Sequence, residues 1–240
     1  MEVVRAKTAG FCMGVSLALQ KLDLALAKGG YQGHIYTLGP LIHNPQVLAD
    51  YAAKGVLLCE NIEEIDSKDC VVIRAHGIPR QMEKKLRDCG AQVIDATCPK
   101  VKKAQLAISK ATSNGETLLL FGEADHPEVR GLISYAQGKA YVITQEHSLE
   151  NLDIPKNNGV VLASQTTQDR EIFAELQKHA KAIYPQLTVL ATICDATRER
   201  QAEARAIAKE VDLMVVVGGR SSGNTRRLAD VAGTCGIQTF

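Results

Sequence analysis

Residues 93–112 read VIDATCPKVKKAQLAISKAT, a short apolar run followed by an amphipathic stretch. The run Val93–Asp95 predicts a strand, and the helical pattern after it runs through Thr97–Thr112. Pro99 suits the first helical position, where a missing N–H costs nothing. Cys98 therefore lies directly before a helix, whose free N–H groups point towards whatever occupies that position.

The same alternation of strand, polar loop and helix continues through the chain, with a second clear helical pattern at Thr197–Glu210. It predicts an α/β fold with a mainly parallel sheet. Residues 155–159 (PKNNG) predict an exposed turn. The predicted strands are Ile35–Leu38, Val71–Arg74, Val93–Asp95, Leu118–Phe121, Val160–Ala163, Val189–Ala191 and Leu213–Val217.

A long-period repeat divides the chain. Cys12, Cys98 and Cys194 each open a predicted helix and lie 86 and 96 residues apart, with polar loops recurring after each. This predicts three pseudo-repeated α/β units with small, mainly parallel sheets, spanning residues 13–97, 98–193 and 194–240 together with 1–12. By the same period, the third unit needs a further loop at about residue 260, so we expect a C-terminal segment beyond Phe240.

Composition narrows the class of protein. A formal net charge of +1 on 240 residues leaves no basic footprint for nucleic acid. The longest apolar runs are too short to cross a bilayer, and the N-terminal residues do not read as a secretory signal. We therefore expect a cytoplasmic protein without a nucleic-acid or membrane partner. Seven cysteines, an odd number with no two of them three residues apart, argue against a disulfide framework, a zinc ribbon and a thioredoxin-like pair.

Three cysteines at equivalent strand-to-helix turns converge on one point if the units pack around a threefold-like axis. Helix N-termini favour the thiolate form, and soft thiolate ligands suit an iron–sulfur cluster. A four-iron cluster held by Cys12, Cys98 and Cys194 leaves one iron free to bind a substrate oxygen as a Lewis acid. The alternative is that these are small buried residues that happen to open helices. For the remaining cysteines (Cys59, Cys70, Cys89 and Cys235) a structural role is the better interpretation.

Histidines and hydroxyl residues occupy the other loops of the same kind. A lone loop histidine is more often a cap than a ligand, but His43, His76 and His126 lie in corresponding loops. Imidazoles, small hydroxyls and helix N-termini together bind phosphate. Because neither a Walker loop nor a dinucleotide fingerprint is present, we expect a compact diphosphate. The hydroxyl loops are Thr166-Thr167 and Ser221-Ser222-Gly223-Asn224.

Glu128 follows His126-Pro127 in the first turn of a predicted helix. One interpretation is a carboxylate that compensates the helix dipole, worth roughly 0.3–1 kcal/mol. The other is a general acid that protonates a leaving hydroxyl or a reduced allyl carbon.

Taken together, these motifs resemble the 4-hydroxy-3-methylbut-2-enyl diphosphate reductase family, also called LytB, from Val4 to the last residue. The family acts last in the non-mevalonate isoprenoid pathway. The motifs that carry the resemblance are Ala9-Gly10-Phe11-Cys12-Met13-Gly14-Val15, Leu41-Ile42-His43-Asn44, Arg74-Ala75-His76-Gly77, Asp95-Ala96-Thr97-Cys98-Pro99, His126-Pro127-Glu128, Gln165-Thr166-Thr167 and Ser222-Gly223-Asn224-Thr225.

The resemblance implies one [4Fe–4S] cluster bound by Cys12, Cys98 and Cys194 at the centre of the three units. It implies reductive dehydroxylation of (E)-4-hydroxy-3-methylbut-2-enyl diphosphate to isopentenyl and dimethylallyl diphosphate, with electrons from a ferredoxin or flavodoxin. Catalytic roles fall to Glu128, Thr166 and His126. The family also ends in a Ser-Thr-Pro loop that contacts the diphosphate and is absent here. The implied substrate-binding residues are His43, His76, His126, Thr166, Thr167, Ser221, Ser222 and Asn224.

Three alternatives stay open at this point. A redox-neutral hydro-lyase would use the same cluster without an electron donor. A folded but inactive fragment would bind cluster or diphosphate without turnover. A zinc hydrolase fits least well, because the ligands are scattered and thiolates stand in place of a His/Glu motif.

Overall fold

The computed structural model describes residues 2–144, 149–150, 152–154 and 158–240. Its strands are β1 (Ile35–Leu38), β2 (Val56–Cys59), β3 (Cys70–Ile73), β4 (Gln92–Asp95), β5 (Thr117–Phe121), β6 (Ala140–Ile143), β7 (Val160–Ser164), β8 (Leu187–Val189), β9 (Leu213–Met214) and β10 (Gln238–Thr239). Its helices are α1 (Met13–Lys28), α2 (Pro45–Ala53), α3 (Arg80–Asp88), α4 (Pro99–Ala111), α5 (Pro127–Ile133), α6 (Arg170–Ile183), α7 (Asp195–Ala208) and α8 (Gly223–Thr234), with a 3₁₀ helix at Ile62–Glu64.

The strands form three separate parallel sheets. The first unit has the order β2-β1-β3-β4 and the second unit has the order β6-β5-β7-β8, so both place their second strand at one edge, beside the first. Strands β9 and β10 of the third unit pair in parallel, as β1 pairs with β2 and β5 with β6. The prediction of an α/β fold with three pseudo-repeated units and small parallel sheets is therefore confirmed.

Each four-stranded sheet is covered by apolar side chains on both faces, which suits a parallel sheet. In the first unit, α1 and α2 pack on one face and α3 with the 3₁₀ helix on the other. In the second unit, α4 and α5 cover one face and α6 the other. Burial on both faces explains why every residue of β3, β5 and β7 is buried.

The edge strands are where sequence pattern and structure differ. Strands β2 and β6 were not predicted, and both lie at an edge, where only one neighbouring strand specifies them. Strand β8 ends at Val189, so the expected strand Val189–Ala191 was placed too late. The expected strand Leu213–Val217 narrows to Leu213–Met214. In each case the strand has at most four residues, too few to show a clear hydrophobic periodicity.

Two sequence predictions are not decided by the fold. Residues 155–157 of the predicted turn at 155–159 lie outside the described residues. The sheets fall within the predicted units, but the boundaries 13–97, 98–193 and 194–240 stay a prediction.

Among the helices that the structure describes, none is long and apolar enough to cross a membrane.

Candidate active site

The three predicted metal ligands all occupy the residue just before a helix. Cys12 precedes α1, Cys98 precedes α4 and Cys194 precedes α7, each with an extended backbone of ψ 165°, 132° and 140° respectively. Within the described residues, the Cys12 and Cys194 side chains make no capping hydrogen bond to their helices. The Cys98 sulfur faces the backbone N–H groups of Lys100 and Val101 in the first turn of α4.

Two further observations bring the cysteines together. A methyl group added at Gly14 would overlap the Cys98 sulfur and lie 3.9 Å from the Cys12 sulfur. Burial raises the pKa of the Cys98 thiol. Hydrogen bonds from the backbone of Lys100 and Val101 oppose this shift, whereas the nearby thiols of Cys12 and Cys194 add to it. The backbone N–H groups at the start of α4 do lower the pKa of the Cys98 thiol, as the sequence argument expected, but desolvation outweighs them and the net direction is upward.

The loops after β1, β3 and β5 bring three histidines together. The ring centroids of His43 and His76 lie 4.5 Å apart. The centroid of His126 lies 5.6 Å from that of His43 and 5.4 Å from that of His76. One nitrogen of each ring lies within 4.8 Å of the other two. Nε2 of His43 and Nδ1 of His76 are buried without a hydrogen-bond partner among the described residues. This cluster is built to receive a polar ligand, because buried polar atoms ordinarily have partners.

Hydrogen bonding and burial set the protonation of the cluster. Nδ1 of His126 accepts a hydrogen bond from the backbone N–H of Glu128 at 3.1 Å and so caps α5. Neutral His126 therefore carries its proton on Nε2. Burial lowers the pKa of His126 to about 4, and it lowers the pKa values of His43 and His76 as well. All three rings are thus neutral at pH 7 in the absence of a ligand.

Glu128 is the buried carboxylate of the site, only 2% exposed. It accepts hydrogen bonds from the backbone N–H of Thr166 at 2.6 Å and from the Thr166 hydroxyl at 3.0 Å. Burial raises the pKa of Glu128 to about 7, although the two bonds from Thr166 oppose the shift. The helix-dipole interpretation alone is therefore too weak, since a group with this pKa holds and releases a proton near neutral pH.

Backbone hydrogen bonds connect the ligand loops to the cysteines. The N–H of Cys194 donates to the carbonyl of Thr166 at 3.0 Å, and the N–H of Cys98 donates to the carbonyl of Ala75 at 2.9 Å. Ala75 directly precedes His76. The cysteine turns and the proposed ligand loops are thus neighbours in both units.

The third unit adds the N-terminus of α8 to the histidine cluster. Ser222 caps this helix by accepting from the N–H of Thr225 at 3.3 Å. A Cβ at Gly223 would lie 3.1 Å from the Thr167 hydroxyl and 3.6 Å from His126 Nε2. Asn224 lies in the first turn of α8, and Ser221 is exposed just before the cap. The roles of Ser221 and Asn224 as ligands stay predictions.

Two residues beside the site were missed as site residues by sequence reasoning. Gln165 is fully buried and donates from its side-chain nitrogen to the Thr167 hydroxyl at 3.1 Å. Glu123 accepts from Arg226 at 2.6 Å and from Arg227 at 2.8 Å, which ties the loop after β5 to α8. Gln165 adjoins Thr166 in a recognised motif, whereas the Glu123 contacts span more than 100 residues and leave no local signal.

Comparisons with known proteins agree with this geometry. A family model described as LytB protein matches residues 3–240. The curated 4-hydroxy-3-methylbut-2-enyl diphosphate reductase of Desulfovibrio desulfuricans is 62% identical over all of this chain and 85% of its own length. The protein of the same name from Geobacter sulfurreducens is 42% identical over all of this chain and 83% of its own.

Solved structures give the same result. A structure described as the E-1-hydroxy-2-methyl-but-2-enyl-4-diphosphate reductase from Plasmodium falciparum superposes with a TM-score of 0.90 at 26% identity, over 96% of this chain and 73% of that one. A structure of (E)-4-hydroxy-3-methyl-but-2-enyl diphosphate reductase, described as the terminal enzyme of the non-mevalonate pathway, has a TM-score of 0.74 at 39% identity. That match covers 99% of this chain and 84% of that one.

Proposed function

The chain belongs to the LytB protein family, and from this premise we propose that it removes the allylic hydroxyl of (E)-4-hydroxy-3-methylbut-2-enyl diphosphate by reduction. The observation that carries the proposal is the contact of three elements at one place. Glu128 accepts hydrogen bonds from Thr166, and the Thr166 carbonyl accepts one from the N–H of Cys194. His126, which clusters with His43 and His76, accepts a hydrogen bond from the N–H of Glu128. The substrate, two electrons and two protons give isopentenyl or dimethylallyl diphosphate and one water.

Cys12, Cys98 and Cys194 would hold a [4Fe–4S] cluster. The donor set fits, because three thiolates are soft ligands and all three lie directly before a helix. A single tetrahedral zinc ion would hold its sulfur ligands about 3.8 Å apart. Among the described residues, one nitrogen from each of the three histidines lies within 4.8 Å of the other two, but the three cysteine sulfurs do not all lie within that distance. The cysteines are therefore spaced too widely for a single zinc ion. When bound, the cluster would supply the electrons and one iron as a Lewis acid for the substrate oxygen.

The histidine cluster would bind the diphosphate. His126 offers its Nε2 proton to an oxyanion, and His43 and His76 each have a buried nitrogen without a hydrogen-bond partner among the described residues. The N-terminus of α8 adds helix N–H groups, which favour an anion. Thr166, Thr167, Ser221, Ser222 and Asn224 complete the proposed substrate-binding set.

The histidine cluster fits a metal cation poorly, although three imidazole nitrogens within 4.8 Å of one another are a ligand set that zinc can use. After burial, the positive charges of Arg74 and Arg226 are the next causes that lower the pKa of His43. A field that opposes a proton on the ring also opposes Zn²⁺. Arg226 is paired with Glu123, so the positive charge of Arg74 in particular favours an anion.

Glu128 would hold the proton that the leaving hydroxyl needs. Its pKa of about 7 keeps a large fraction protonated at neutral pH, in a buried position next to the Thr166 hydroxyl. Thr166 would orient the substrate hydroxyl by a hydrogen bond, and Glu128 would protonate it so that it leaves as water. Burial excludes bulk water from this transfer.

The proposal includes an external electron donor, a ferredoxin or flavodoxin, because the reaction consumes two electrons. A cytoplasmic location, as expected from the sequence, stays a prediction. Relatives extend beyond the length of this chain, which covers 85% of the Desulfovibrio protein.

Anaerobic purification followed by iron and sulfide counts, Mössbauer spectra and a product assay tests the proposal. We expect about four irons per chain, one of them with a signal that shifts when the hydroxylated diphosphate is added. Product should form only with reductant. Turnover without reductant would instead indicate the hydro-lyase, and zinc without sulfide the hydrolase. A cluster with substrate binding but no product would indicate the non-catalytic alternative.

A further inference from the structure

Arg74 lies at the end of β3 and forms one end of the turn that carries His76. The backbone N–H of Gly77 donates to the Arg74 carbonyl at 2.9 Å, which closes a four-residue turn with His76 at its third position. The Arg74 side chain closes the same turn a second time, since its Nε donates to the Gly77 carbonyl at 3.2 Å. The backbone and the side chain of one residue therefore both hold the His76 turn.

The guanidinium also reaches the loop that carries His43. Gly39 follows β1 with a positive φ of 69° and opens this loop. A Cβ at Gly39 would collide with Nη1 of Arg74 and lie 3.3 Å from its Cζ. Glycine is thus required there both by its φ angle and by the guanidinium that lies over it. Arg74 thereby contacts both histidine loops of the first unit.

The charge of Arg74 is not neutralised by a carboxylate anywhere in the part of the chain that the structure describes. Two other arginines do have carboxylate partners: Arg226 pairs with Glu123 at 2.6 Å, and Arg130 pairs with Asp125 at 3.1 Å. Arg74 is only partly exposed, and its charge helps to lower the pKa values of all three histidines after burial. Since the rings are neutral, a bound diphosphate needs cationic charge from elsewhere.

We propose that Arg74 is a positioning residue of the diphosphate site, which joins the loops of His43 and His76 and supplies the cationic charge that the neutral histidines lack. The inference rests on the proposed function, because it assigns a role towards the diphosphate of that same site. Its unpaired charge attracts the anion, and the two loop contacts keep the ring nitrogens turned towards it.

Binding of inorganic pyrophosphate to the cluster-loaded protein, measured by calorimetry at several salt concentrations, tests the proposal. We expect Arg74→Gln to weaken binding roughly tenfold or more, in the range of hydrogen bonds to charged groups. Arg74→Lys keeps the charge and should bind more tightly than Arg74→Gln. The salt dependence should be shallower in Arg74→Gln than in the wild type, a change that a merely structural role would not produce. The exposed Arg80, six residues further along, provides the matched control as Arg80→Gln.

Either of two results overturns the proposal: wild-type affinity in Arg74→Gln, or binding by Arg74→Lys no tighter than by Arg74→Gln. If Arg74→Gln does not fold, Arg74→Lys is compared with the wild type instead: it should keep the wild-type salt dependence but bind pyrophosphate more weakly, because it loses the Nε contact with the Gly77 carbonyl. Wild-type affinity in Arg74→Lys would then overturn the proposal. Wild-type protein that binds no pyrophosphate would instead overturn the diphosphate site itself, and the role of Arg74 with it.

Discussion

The first and second units share a backbone plan but differ in chemistry. Both units have the same strand order, and both begin a helix at a proline after a histidine loop. In both, a loop carbonyl accepts a hydrogen bond from a cysteine N–H. The carbonyls belong to Ala75 in the first unit and Thr166 in the second. Each is the second residue after its strand, so the two positions are equivalent.

The difference lies in two side chains. The second residue of α2 is Gln46, which is exposed, whereas the second residue of α5 is Glu128, which is buried. Ala75 has no hydroxyl, whereas the hydroxyl of Thr166 binds Glu128. The repeated plan therefore provides the proposed anion-binding loops and the cysteine positions twice. Of these two units, the second alone has the Glu128–Thr166 pair that we propose handles protons. Predictions that test this comparison follow from the largest expected effect to the smallest.

Equivalence of the two cysteine turns predicts equal losses. Cys98→Ser and Cys194→Ser should each abolish stable four-iron incorporation, since a three-thiolate site has no spare ligand. Iron and sulfide counts and the visible spectrum under anaerobic conditions measure the effect. Cys89→Ser is the control, because Cys89 is exposed at the end of α3. A full cluster spectrum in either variant would remove that cysteine from the ligand set.

Glu128→Gln should lower turnover by about 100-fold or more, the range of a lost general acid, while cluster content and pyrophosphate binding persist. The wild-type rate should fall as pH rises through about 7, because Glu128 then loses the proton that it donates. The variant should lack this decline. Rates measured across pH, with the exposed Glu60→Gln as control, decide the point; near-normal turnover would exclude Glu128 from the mechanism.

Thr166→Ala gives the second unit the residue that the first unit has at Ala75. We expect turnover to fall roughly tenfold, as for the loss of one hydrogen bond to a charged group. The Thr166 hydroxyl lowers the pKa of Glu128, so its removal should raise that pKa and move the decline in rate to higher pH. The exposed Thr188→Ala on β8 is the control. A decline that stays at the same pH would contradict the proposed pairing.

Gln46→Glu should have the smallest effect. It places a carboxylate at the first-unit position equivalent to Glu128, but Gln46 is exposed and its pKa would not be raised by burial. We expect turnover within about twofold of wild type, and a stability gain of roughly 0.3–1 kcal/mol from the dipole of α2. Thermal unfolding and rate measurements test this. A new pH-dependent step in the rate would mean that burial is not what separates the two units.

Several features of the site could be predicted from residue pattern alone. Proline after Cys98 and after His126 marks a helix start, and the structure confirms that all three predicted ligand cysteines precede helices. Edge strands β2 and β6 could not be predicted, because runs of four residues show no strong hydrophobic periodicity. The contact of Glu123 with Arg226 and Arg227 joins residues far apart in the chain, which local pattern does not encode.

The amino-acid sequence by itself determined the α/β class, the threefold repeat and the residue types that converge, because these depend on local period and on spacing along the chain. Tertiary structure alone decided that burial raises the pKa of the Cys98 thiol and of the Glu128 carboxyl, since desolvation depends on neighbours from distant segments. It also decided that Arg74 lacks a carboxylate partner among the described residues while Arg226 has one. Packing of segments that are distant along the chain sets these charges, and the linear pattern carries no record of it.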